Sequence, residues 1–222
     1  MPRSFVIGDI HGNHKPLLDL FRQAGFDYDT DILLCLGDVV DRGPEPVKVV
    51  NELMKIRNLI YILGNHDYWC LEYLRTGKVT ADWLFQGGNG TMNDYIEHQA
   101  EREPHKEFFA SARLFYIDDE NRLFVHAGFD RFRPFSKQMT EHLTLLWDRS
   151  LFRAASEYDY EGKQFEEFSE IFIGHSPSQL IMQDKPTRLA NLWIMDTGAG
   201  HRRLLSLMDI DTKEFWQSRC EF

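Results

Sequence analysis

The chain contains only three cysteines among its 222 residues, Cys35, Cys70 and Cys220, and no two of them form a Cys-x-x-Cys pair. An odd number without such a pair argues against both a disulfide framework and a thiolate zinc site. Cys35 lies inside the apolar run Ile32–Leu36, where a small buried hydrophobe is expected. Because this pattern suits a reducing compartment, we expect a cytoplasmic protein.

Positive charge and long apolar runs are also scarce. Lys and Arg number 25 against 35 Asp and Glu, and the net charge of −10 argues against general binding to nucleic acid backbone. No apolar run approaches the roughly 18–20 residues that cross a membrane, and the N-terminus shows no signal-peptide pattern. The length and the 43% hydrophobic content predict one globular domain over residues 1–222, with a monomer as the default.

The first 65 residues alternate between buried strands and amphipathic helices. Strands are predicted at Phe5–Ile7, Ile32–Leu36 and Leu59–Leu63, and helices at Lys15–Ala24 and Glu45–Arg57. This β-α-β-α-β order implies parallel strands with right-handed crossovers. Ligands bind at the carboxyl ends of the strands in such sheets.

The rest of the chain changes character twice. Residues 68–113 are predicted to form a helical insertion beside the mouth of the site, broken at Gly87–Gly90. Strands dominate from Leu114 onward, and the chain ends in a hairpin around Asp211-Thr212. A parallel half followed by a more antiparallel half predicts two sheets packed face to face with helices outside. The later strands are expected at Leu114–Ile117, Leu123–Val125, Ile171–Ile173, Leu192–Met195, Leu204–Ile210 and Glu214–Gln217.

Five short glycine-containing stretches carry nearly all of the potential metal-ligand chemistry, and each follows a short apolar run. The stretches are Gly8–Gly12, Gly37–Gly43, Gly64–Asp67, His126–Gly128 and Gly174–His175. A lone aspartate at a strand end is usually a turn or helix cap, and a lone histidine is usually a hydrogen-bonded residue. Five repeats of the same arrangement favour a metal site instead.

The candidate ligands offer carboxylate, imidazole and amide oxygen without sulfur. They are Asp9, His11, Asp38, Asn65, His126 and His175. This mixture suits manganese, iron or zinc better than calcium. Six ligands are too many for one closed tetrahedral site, and they suit two ions about 3.5–4 Å apart that share a carboxylate.

The motifs GDIHG, GDVVDRG, GNHD, HAG and GH, in this order, resemble the metallophosphoesterase superfamily. More narrowly they resemble the phosphoprotein phosphatase family of serine/threonine phosphatases in its short bacterial and phage form, from residue 8 to about 200. The resemblance implies a calcineurin-like α/β fold, with two mixed β-sheets packed as a sandwich flanked by helices. It also implies hydrolysis of phosphoprotein by direct attack of a hydroxide that bridges two divalent metals, with manganese favoured over iron or zinc.

The resemblance also assigns the ligands to two ions. Asp9, His11 and Asp38 would hold the first ion. Asp38 would bridge to the second, which is further held by Asn65, His126 and His175.

A serine or threonine leaving group needs a proton, and the residue that supplies it is expected next to a ligand. The resemblance points to His66 as this general acid, paired with Asp41 of the DRG motif. Asp67 is the rival partner by proximity in sequence, but neighbouring side chains on a strand-end turn usually diverge.

Charge on the phosphoryl oxygens calls for arginine, whose fork can bind two oxygens at once. Arg42 stands beside Asp41, and Arg149 resembles the Trp-x-Arg segment of bacterial and phage relatives; its alternative is a surface arginine on a helix. Arg131 and Arg133 are weaker candidates.

Several other residues receive structural interpretations. The pattern Trp83, Gly87, Gly88 and Thr91 resembles a Trp-Gly-Gly-Thr pattern of bacterial members and is expected to shape the insertion. The turn at Asp196–Gly200 is expected to be structural. The remaining histidines are expected at the surface; they are His14, His98, His105, His142 and His201.

The main alternative is a symmetrical dinucleoside tetraphosphate hydrolase, which shares the fold and the motifs. Those enzymes resemble GDLVARGP, with alanine at the position of Asp41, so Asp41 favours a phosphoprotein substrate. An RNA-end phosphatase is disfavoured by the acidic charge. A non-catalytic binding protein is disfavoured because every ligand, together with His66, Asp41 and Arg42, is retained.

Overall fold

The computed structural model of the protein describes residues 2–221, so Met1 and Phe222, the ends of the predicted domain, lie outside the described residues. Within this range, ten strands form two five-stranded mixed sheets. The two mixed sheets and their flanking helices confirm the predicted fold class.

The first sheet has the order β10-β9-β1-β2-β3. Strands β1 (Ser4–Ile7), β2 (Ile32–Cys35) and β3 (Asn58–Tyr61) are parallel, as predicted. Strand β9 (Leu204–Asp209) runs antiparallel beside β1, and β10 (Phe215–Arg219) returns antiparallel beside β9, which forms the predicted terminal hairpin. The end of the chain thus completes the sheet that its beginning starts.

The second sheet has the order β4-β5-β6-β8-β7. Its strands are Phe115–Ile117 (β4), Arg122–Val125 (β5), Glu170–Ile173 (β6), Thr187–Leu189 (β7) and Leu192–Ile194 (β8). Strands β5, β6 and β8 are parallel, and the antiparallel pairs lie only at the two edges. Counting β9 and β10 as well, four of the strand pairs that involve strands after residue 114 are antiparallel and two are parallel, so the second half of the chain is more antiparallel than the first, as predicted. Helices between residues 142 and 161 provide the crossover from β5 to β6, and the sequence pattern did not reveal them.

Eight α-helices are described in residues 2–221. They are His14–Ala24 (α1), Pro46–Leu53 (α2), Asn65–Thr76 (α3), Ala81–Trp83 (α4), Asn89–Glu97 (α5), Arg102–Ala110 (α6), His142–Trp147 (α7) and Ser150–Glu161 (α8). Helix α1 buries Leu17, Leu20 and Phe21 on one face and ends at Gly25, whose left-handed φ of 57° closes the helix. None of the described helices combines the length and apolar character needed to cross a bilayer.

Helices α3 to α6 occupy most of the segment predicted as a helical insertion. Helix α3 begins at Asn65, so the helical region starts three residues before the predicted position 68. The predicted break falls between α4 and α5, where Gly87 has a φ of 109°. Residues with a Cβ rarely adopt this conformation, so a glycine is required there.

Alternation along the strands divides the core into layers. Val6 and Leu34 face the second sheet, where they pack in one cluster with Phe124 and Phe172. Phe5 and Leu33 belong to a second cluster beneath the helices. The rings of Phe124 and Phe172 are stacked with centroids 4.7 Å apart. Fully burying a side chain of this kind contributes about 1.5–3 kcal/mol, so these contacts hold the two sheets in a fixed relative position.

Candidate metal and phosphate site

The carboxyl ends of the parallel strands of both sheets converge on one cleft of about 250 Å³. Eight of the ten predicted site residues line it, and the other two lie directly behind it. Asp41 contacts His66, and His126 contacts Asp38. The lining residues are Asp9, His11, Asp38, Arg42, Asn65, His66, Gln86, Arg149, His175, Pro177, Leu180, Asp196 and His201.

The backbone at this cleft is unusual. Ten non-glycine residues of the described chain have positive φ, and five of them are predicted site residues. These are His11 at 48°, Asp38 at 50°, Asp41 at 67°, Arg42 at 65° and His175 at 60°. Left-handed backbone is costly for residues with a Cβ, and such conformations cluster at functional sites. The turns that follow the strands therefore aim these side chains inward at a conformational cost.

Two histidines direct a lone pair at carboxylates. Nδ1 of His11 lies 2.9 Å from the Val40 carbonyl, and Nδ1 of His126 lies 2.7 Å from the Leu36 carbonyl. Because a carbonyl can only accept, each Nδ1 carries the proton, and the neutral ring has an unprotonated Nε2. Nε2 of His11 then faces Asp38 Oδ2 at 3.8 Å, and Nε2 of His126 faces Asp38 Oδ1 at 3.5 Å.

An unprotonated imidazole nitrogen and a carboxylate oxygen are both hydrogen-bond acceptors. When two such atoms face each other in a buried site, a cation between them stabilises the arrangement. The amide of Asn65 extends the same pattern, because its Oδ1 lies 3.0 Å from the unprotonated Nε2 of His126. Burial lowers the pKa values of His11 and His126, which keeps both rings neutral and able to bind metal. The donor set therefore fits a divalent metal.

Asp38 is the common member of two groups of candidate ligand atoms. One group contains His11 and His66, and the other contains His126 and His175; within each group the atoms lie within 4.8 Å of one another. Burial alone raises the pKa of Asp38, but these four histidines outweigh burial and lower it. The position of Asp38 between two imidazole groups agrees with the bridging place that the motif predicts for it.

Asp9 completes this arrangement from the end of β1. Its carboxylate accepts a hydrogen bond from the His175 backbone N–H at 3.0 Å, and one oxygen lies 3.9 Å from His11 Nε2. Burial, followed by the charges of Asp196 and Asp38, raises the pKa of Asp9 well above its ordinary value. Excess negative charge in a buried cleft is a further sign that the site suits cations.

His66 lies on the first turn of α3 with its ring fixed from behind. Its Nδ1 lies 2.6 Å from Asp41 Oδ2. Asp41 also accepts hydrogen bonds from Trp83 Nε1 at 2.7 Å and from Thr91 Oγ1 at 2.6 Å. Burial lowers the pKa of His66, but the Asp38 charge and the Asp41 hydrogen bond outweigh burial and raise it. The ring is therefore oriented and favoured in its protonated form.

The rival partner, Asp67, points elsewhere. Its carboxylate accepts from the backbone N–H of Val39 at 2.8 Å and of Gly64 at 3.1 Å, which ties the loops after β2 and β3 together. Burial raises the pKa of Asp67 to about 7. Asp67 therefore braces the loop backbones, while Asp41 contacts His66.

The arginines separate into two sets. Arg42 and Arg149 line the cleft. Arg133 is exposed and pairs with Glu141 at 2.6 Å, and the guanidinium of Arg131 packs over Phe132 at 4.4 Å. Arg149 directly precedes α8, which is why it reaches the cleft rather than solvent on a helix face. The two weaker candidates lie outside the cleft.

The structure extends two interpretations made from the sequence and corrects a third. Trp83 and Thr91 contact Asp41 directly as well as shaping the insertion. His201 is exposed, as expected, and it also lines the cleft. His105 is fully buried, between the Tyr95 hydroxyl and the Asn51 side chain. A spacing of 42 or 50 residues separates Asp41 from its partners, so no local pattern could have linked them.

Asp196 was also missed as a residue of the cleft. It follows β8 as Asp9 follows β1, and burial raises its pKa to about 6. Its position at a strand end was the available signal, because the other aspartates of the cleft share it.

Comparison with known proteins gives a consistent picture. The family described as calcineurin-like phosphoesterase matches residues 2–200. Serine/threonine-protein phosphatase 2 of Escherichia coli strain K12 is 29% identical over 211 residues, which cover 93% of this chain and 92% of that protein. Serine/threonine-protein phosphatase 1 of Salmonella typhimurium is 32% identical over 99 residues, 45% of each protein.

A second group of relatives has a different name. A symmetrical bis(5'-nucleosyl)-tetraphosphatase of a Marinomonas species is 29% identical over 133 residues, which cover 56% of this chain and 44% of that protein. The match thus spans less than half of this relative and of the Salmonella phosphatase, but nearly all of the Escherichia coli phosphatase.

A solved structure of a presumed diadenosine tetraphosphatase shares the fold. It superposes with a TM-score of 0.69 at 20% identity, over 100% of this chain and 96% of that chain. Because the family match covers most of the residues and the cleft has the expected ligands, the chain belongs to the calcineurin-like phosphoesterase family of metal-dependent hydrolases.

Proposed function

We propose that the protein is a serine/threonine protein phosphatase, a phosphomonoesterase that uses two divalent metal ions. The observation that carries this proposal is the His66–Asp41 pair, held at 2.6 Å by a carboxylate that Trp83 and Thr91 fix in place. An oriented acid is needed most when the leaving group is a basic alkoxide, as in a serine or threonine phosphate.

The metal ligands proposed here are the six predicted residues. Asp9, His11 and Asp38 would hold one ion, and Asp38, Asn65, His126 and His175 would hold the other, with manganese favoured over iron or zinc. When bound, the ions neutralise phosphoryl charge and lower the pKa of water, so that hydroxide is available near neutral pH. Of the two groups of candidate ligand atoms that share Asp38, one contains His11 with His66 and the other contains His126 and His175, which supports one ion on each side of Asp38.

The protein groups then perform two tasks. Arg42 and Arg149 bind the phosphoryl oxygens and orient phosphorus for direct attack by hydroxide, without a covalent phosphoenzyme. As the bond from phosphorus to the leaving oxygen breaks, Nε2 of protonated His66 donates its proton to that oxygen. Asp41 holds Nδ1 throughout, so the proton-bearing Nε2 faces the cleft.

A dinucleoside tetraphosphatase is the second candidate, and a specific observation favours it. Relatives with that name match 56% of the chain, and the structure of a presumed diadenosine tetraphosphatase shares the fold. A nucleotide leaving group is weakly basic and needs less help from an acid. The braced position of Asp41 therefore supports the phosphoprotein substrate.

The deciding experiment compares initial rates with Mn²⁺ on a phosphothreonine peptide and on diadenosine tetraphosphate. We expect a far higher kcat/KM for the peptide. A higher kcat/KM for the dinucleotide would show that the protein is a dinucleoside tetraphosphatase instead.

Substitution of the acid tests the mechanism. In His66→Asn we expect kcat for the phosphothreonine peptide to fall by about 10²–10⁴-fold. The fall should be much smaller for p-nitrophenyl phosphate, because nitrophenolate leaves without a proton. Equal losses on both substrates would show that His66 is not the general acid.

The cellular setting completes the proposal. The three cysteines are buried and free, as is usual in a reducing compartment. We propose a monomer that acts on phosphorylated protein in the cytoplasm; analytical ultracentrifugation and localisation of a tagged chain would test this.

A further inference from the structure

The turn after β8 lies against the proposed metal and phosphate groups together. Gly198, with a φ of 84°, starts the turn, and Ala199–His201 form a single helical turn that ends at the cleft. A Cβ on Gly200 would overlap the His11 ring and lie 2.8 Å from Arg42 Nη1. The turn can approach both residues this closely only because position 200 is glycine.

The end of this turn provides a hydrogen-bond acceptor for Arg42. Nη1 of Arg42 lies 3.4 Å from His201 Nε2, and Nη2 lies 3.2 Å from His66 Nε2. The Nε–H of Arg42 donates to the Gln86 carbonyl at 3.4 Å. A guanidinium can only donate, so the Nε2 of His201 acts as an acceptor toward Arg42.

Counting the donors of Arg42 shows what remains. A guanidinium has five N–H bonds. In the described part of the chain three of them are directed at Gln86, His66 and His201, which leaves one N–H on each terminal nitrogen. Two N–H bonds on adjacent nitrogens are what a bidentate contact with a phosphoryl group requires.

The three contacts have different places in the proposed reaction. His66 is the proposed acid and needs its Nε2 for the leaving oxygen, so its contact with Arg42 is not a fixed anchor. Gln86 and His201 have no other task in that reaction, so their contacts are the ones that can hold the guanidinium. Burial, followed by the charge of Arg42, lowers the pKa of His201, so this ring stays an acceptor near neutral pH.

We propose that His201 is a positioning residue that holds Arg42 in the cleft and thereby sets the affinity for the phosphoryl group. Arginine loses rotamer entropy when its side chain is ordered, and fixing the side chain beforehand spares part of that cost on binding. The inference rests on the proposed function as a phosphate-ester hydrolase, and it gives a role to a residue for which the motif pattern has none.

The test uses three substitutions in the Mn²⁺-loaded protein. His201→Leu removes the acceptor, His201→Gln restores an acceptor oxygen, and His142→Ala changes an exposed histidine outside the cleft as a control. The probes are KM and kcat for p-nitrophenyl phosphate and the Ki of inorganic phosphate. In His201→Leu we expect KM and Ki to rise about fivefold with kcat within twofold, as for loss of one hydrogen bond to a charged group at an exposed site.

Two comparisons show whether the effect passes through Arg42. His201→Gln should recover most of the affinity, and His201→Leu should have no further effect when Arg42 is already alanine. Equal shifts in both Arg42 backgrounds would overturn the proposal, because they would show that His201 contacts the ligand itself. Unchanged KM and Ki in His201→Leu, with an unchanged Tm, would overturn it as well.

Failure of the proposed function can be told apart from failure of this inference. If the wild-type protein hydrolyses only the dinucleotide, the phosphatase proposal fails. The Ki of inorganic phosphate, measured against that substrate, still shows whether His201 supports phosphoryl binding through Arg42.

Discussion

The loops that follow the parallel strands of the two sheets meet at one cleft, but they are held in different ways. In the first sheet, the Asp67 carboxylate ties the loops after β2 and β3 together, and Trp83 and Thr91 from the helical segment fix Asp41. In the second sheet, the candidate ligands His126 and His175 are held by hydrogen bonds to the first half of the chain.

The contacts across the sandwich show this dependence. Nδ1 of His126 donates to the Leu36 carbonyl, and the His175 backbone N–H donates to Asp9. A Cβ on Gly174 would overlap the Asp9 carboxylate, so the two loops touch. The first half of the chain therefore positions the proposed acid and the proposed phosphate-binding loop by its own contacts, whereas the proposed ligands of the second half are aligned by contacts with the first sheet.

The largest expected effect comes from the residue that joins the two halves. Asp38→Asn removes a charge shared by both groups of ligand atoms. We expect both ions to be lost and kcat/KM to fall by at least about 10³-fold, because bound metal contributes several kcal/mol to the transition state. Mass spectrometry measures the metal content, and hydrolysis of p-nitrophenyl phosphate measures the fall in kcat/KM.

The variant for comparison is His175→Ala, because His175 belongs to only one of the two groups of candidate ligand atoms. This variant should retain roughly one ion per chain. Retention of both ions in Asp38→Asn would show that the two halves hold metal independently.

The next prediction tests the hydrogen bond by which Trp83 holds Asp41 in place. Trp83→Phe removes the Nε1–H that donates to Asp41, so His66 loses part of its orientation. We expect kcat on a phosphothreonine peptide to fall by about 100-fold, the upper range for an outer-shell partner, with little change for p-nitrophenyl phosphate. Trp193→Phe is the control, because its Nε1–H donates to Glu170 at 2.7 Å, outside the cleft. A comparable loss in Trp193→Phe would point to a general packing effect.

Acid should lower the free energy of unfolding through His105, which lies in helix α6. His105 is buried between Tyr95 and Asn51, and burial lowers its pKa from 6.5 to about 4 despite a Glu101 oxygen 3.8 Å away. The unfolded chain therefore binds this proton more readily, and the stability contributed by neutral His105 is present above pH 6.5 and lost as the pH falls toward 4. The expected loss is about 2 kcal/mol between pH 7 and pH 4.5.

Urea unfolding at both pH values measures this loss. His105→Gln, whose amide keeps a donor and an acceptor without titrating, should reduce the pH dependence by about the same 2 kcal/mol. An unchanged pH dependence in the variant would assign the acid sensitivity to other groups.

The smallest effect concerns the arginine that the second half contributes. Arg149→Ala should lower kcat/KM about tenfold through loss of a charge-assisted contact with phosphate. Arg133→Ala should change it less than twofold, because Arg133 is exposed and pairs with Glu141. Equal effects of the two substitutions, measured with p-nitrophenyl phosphate, would remove Arg149 from the proposed site.

Periodicity predicted the first sheet well and the second sheet less well. Strands β1 to β3 alternate with helices whose apolar faces are regular, and the predicted bounds differ from the observed ones by a few residues at most. Strand β7 (Thr187–Leu189) was missed because three residues with one partner strand show no alternation pattern. Helices α7 and α8 were missed. Their buried residues, among them Leu145, Leu151 and Ala155, pack in one cluster with residues of β5, β6 and β8, and such long-range contacts leave no local signal.

The local motifs brought out the candidate ligands because each lies one to four residues after the end of a strand. Asn65 and His66 were expected on a strand-end turn, but they lie on the first turn of α3. Both side chains still line the cleft, because helix α3 starts at the carboxyl end of the sheet.

By itself, the sequence determined the family, the order of the first strands and the candidate metal-binding residues, because these depend on short-range patterns of apolar residues, glycine and ligand types. Only the tertiary structure decided which groups support them. Trp83 and Thr91 reach Asp41 across 42 and 50 residues, and His201 reaches Arg42 across 159. Such contacts depend on how sheets and helices pack, and packing distance is independent of separation along the chain.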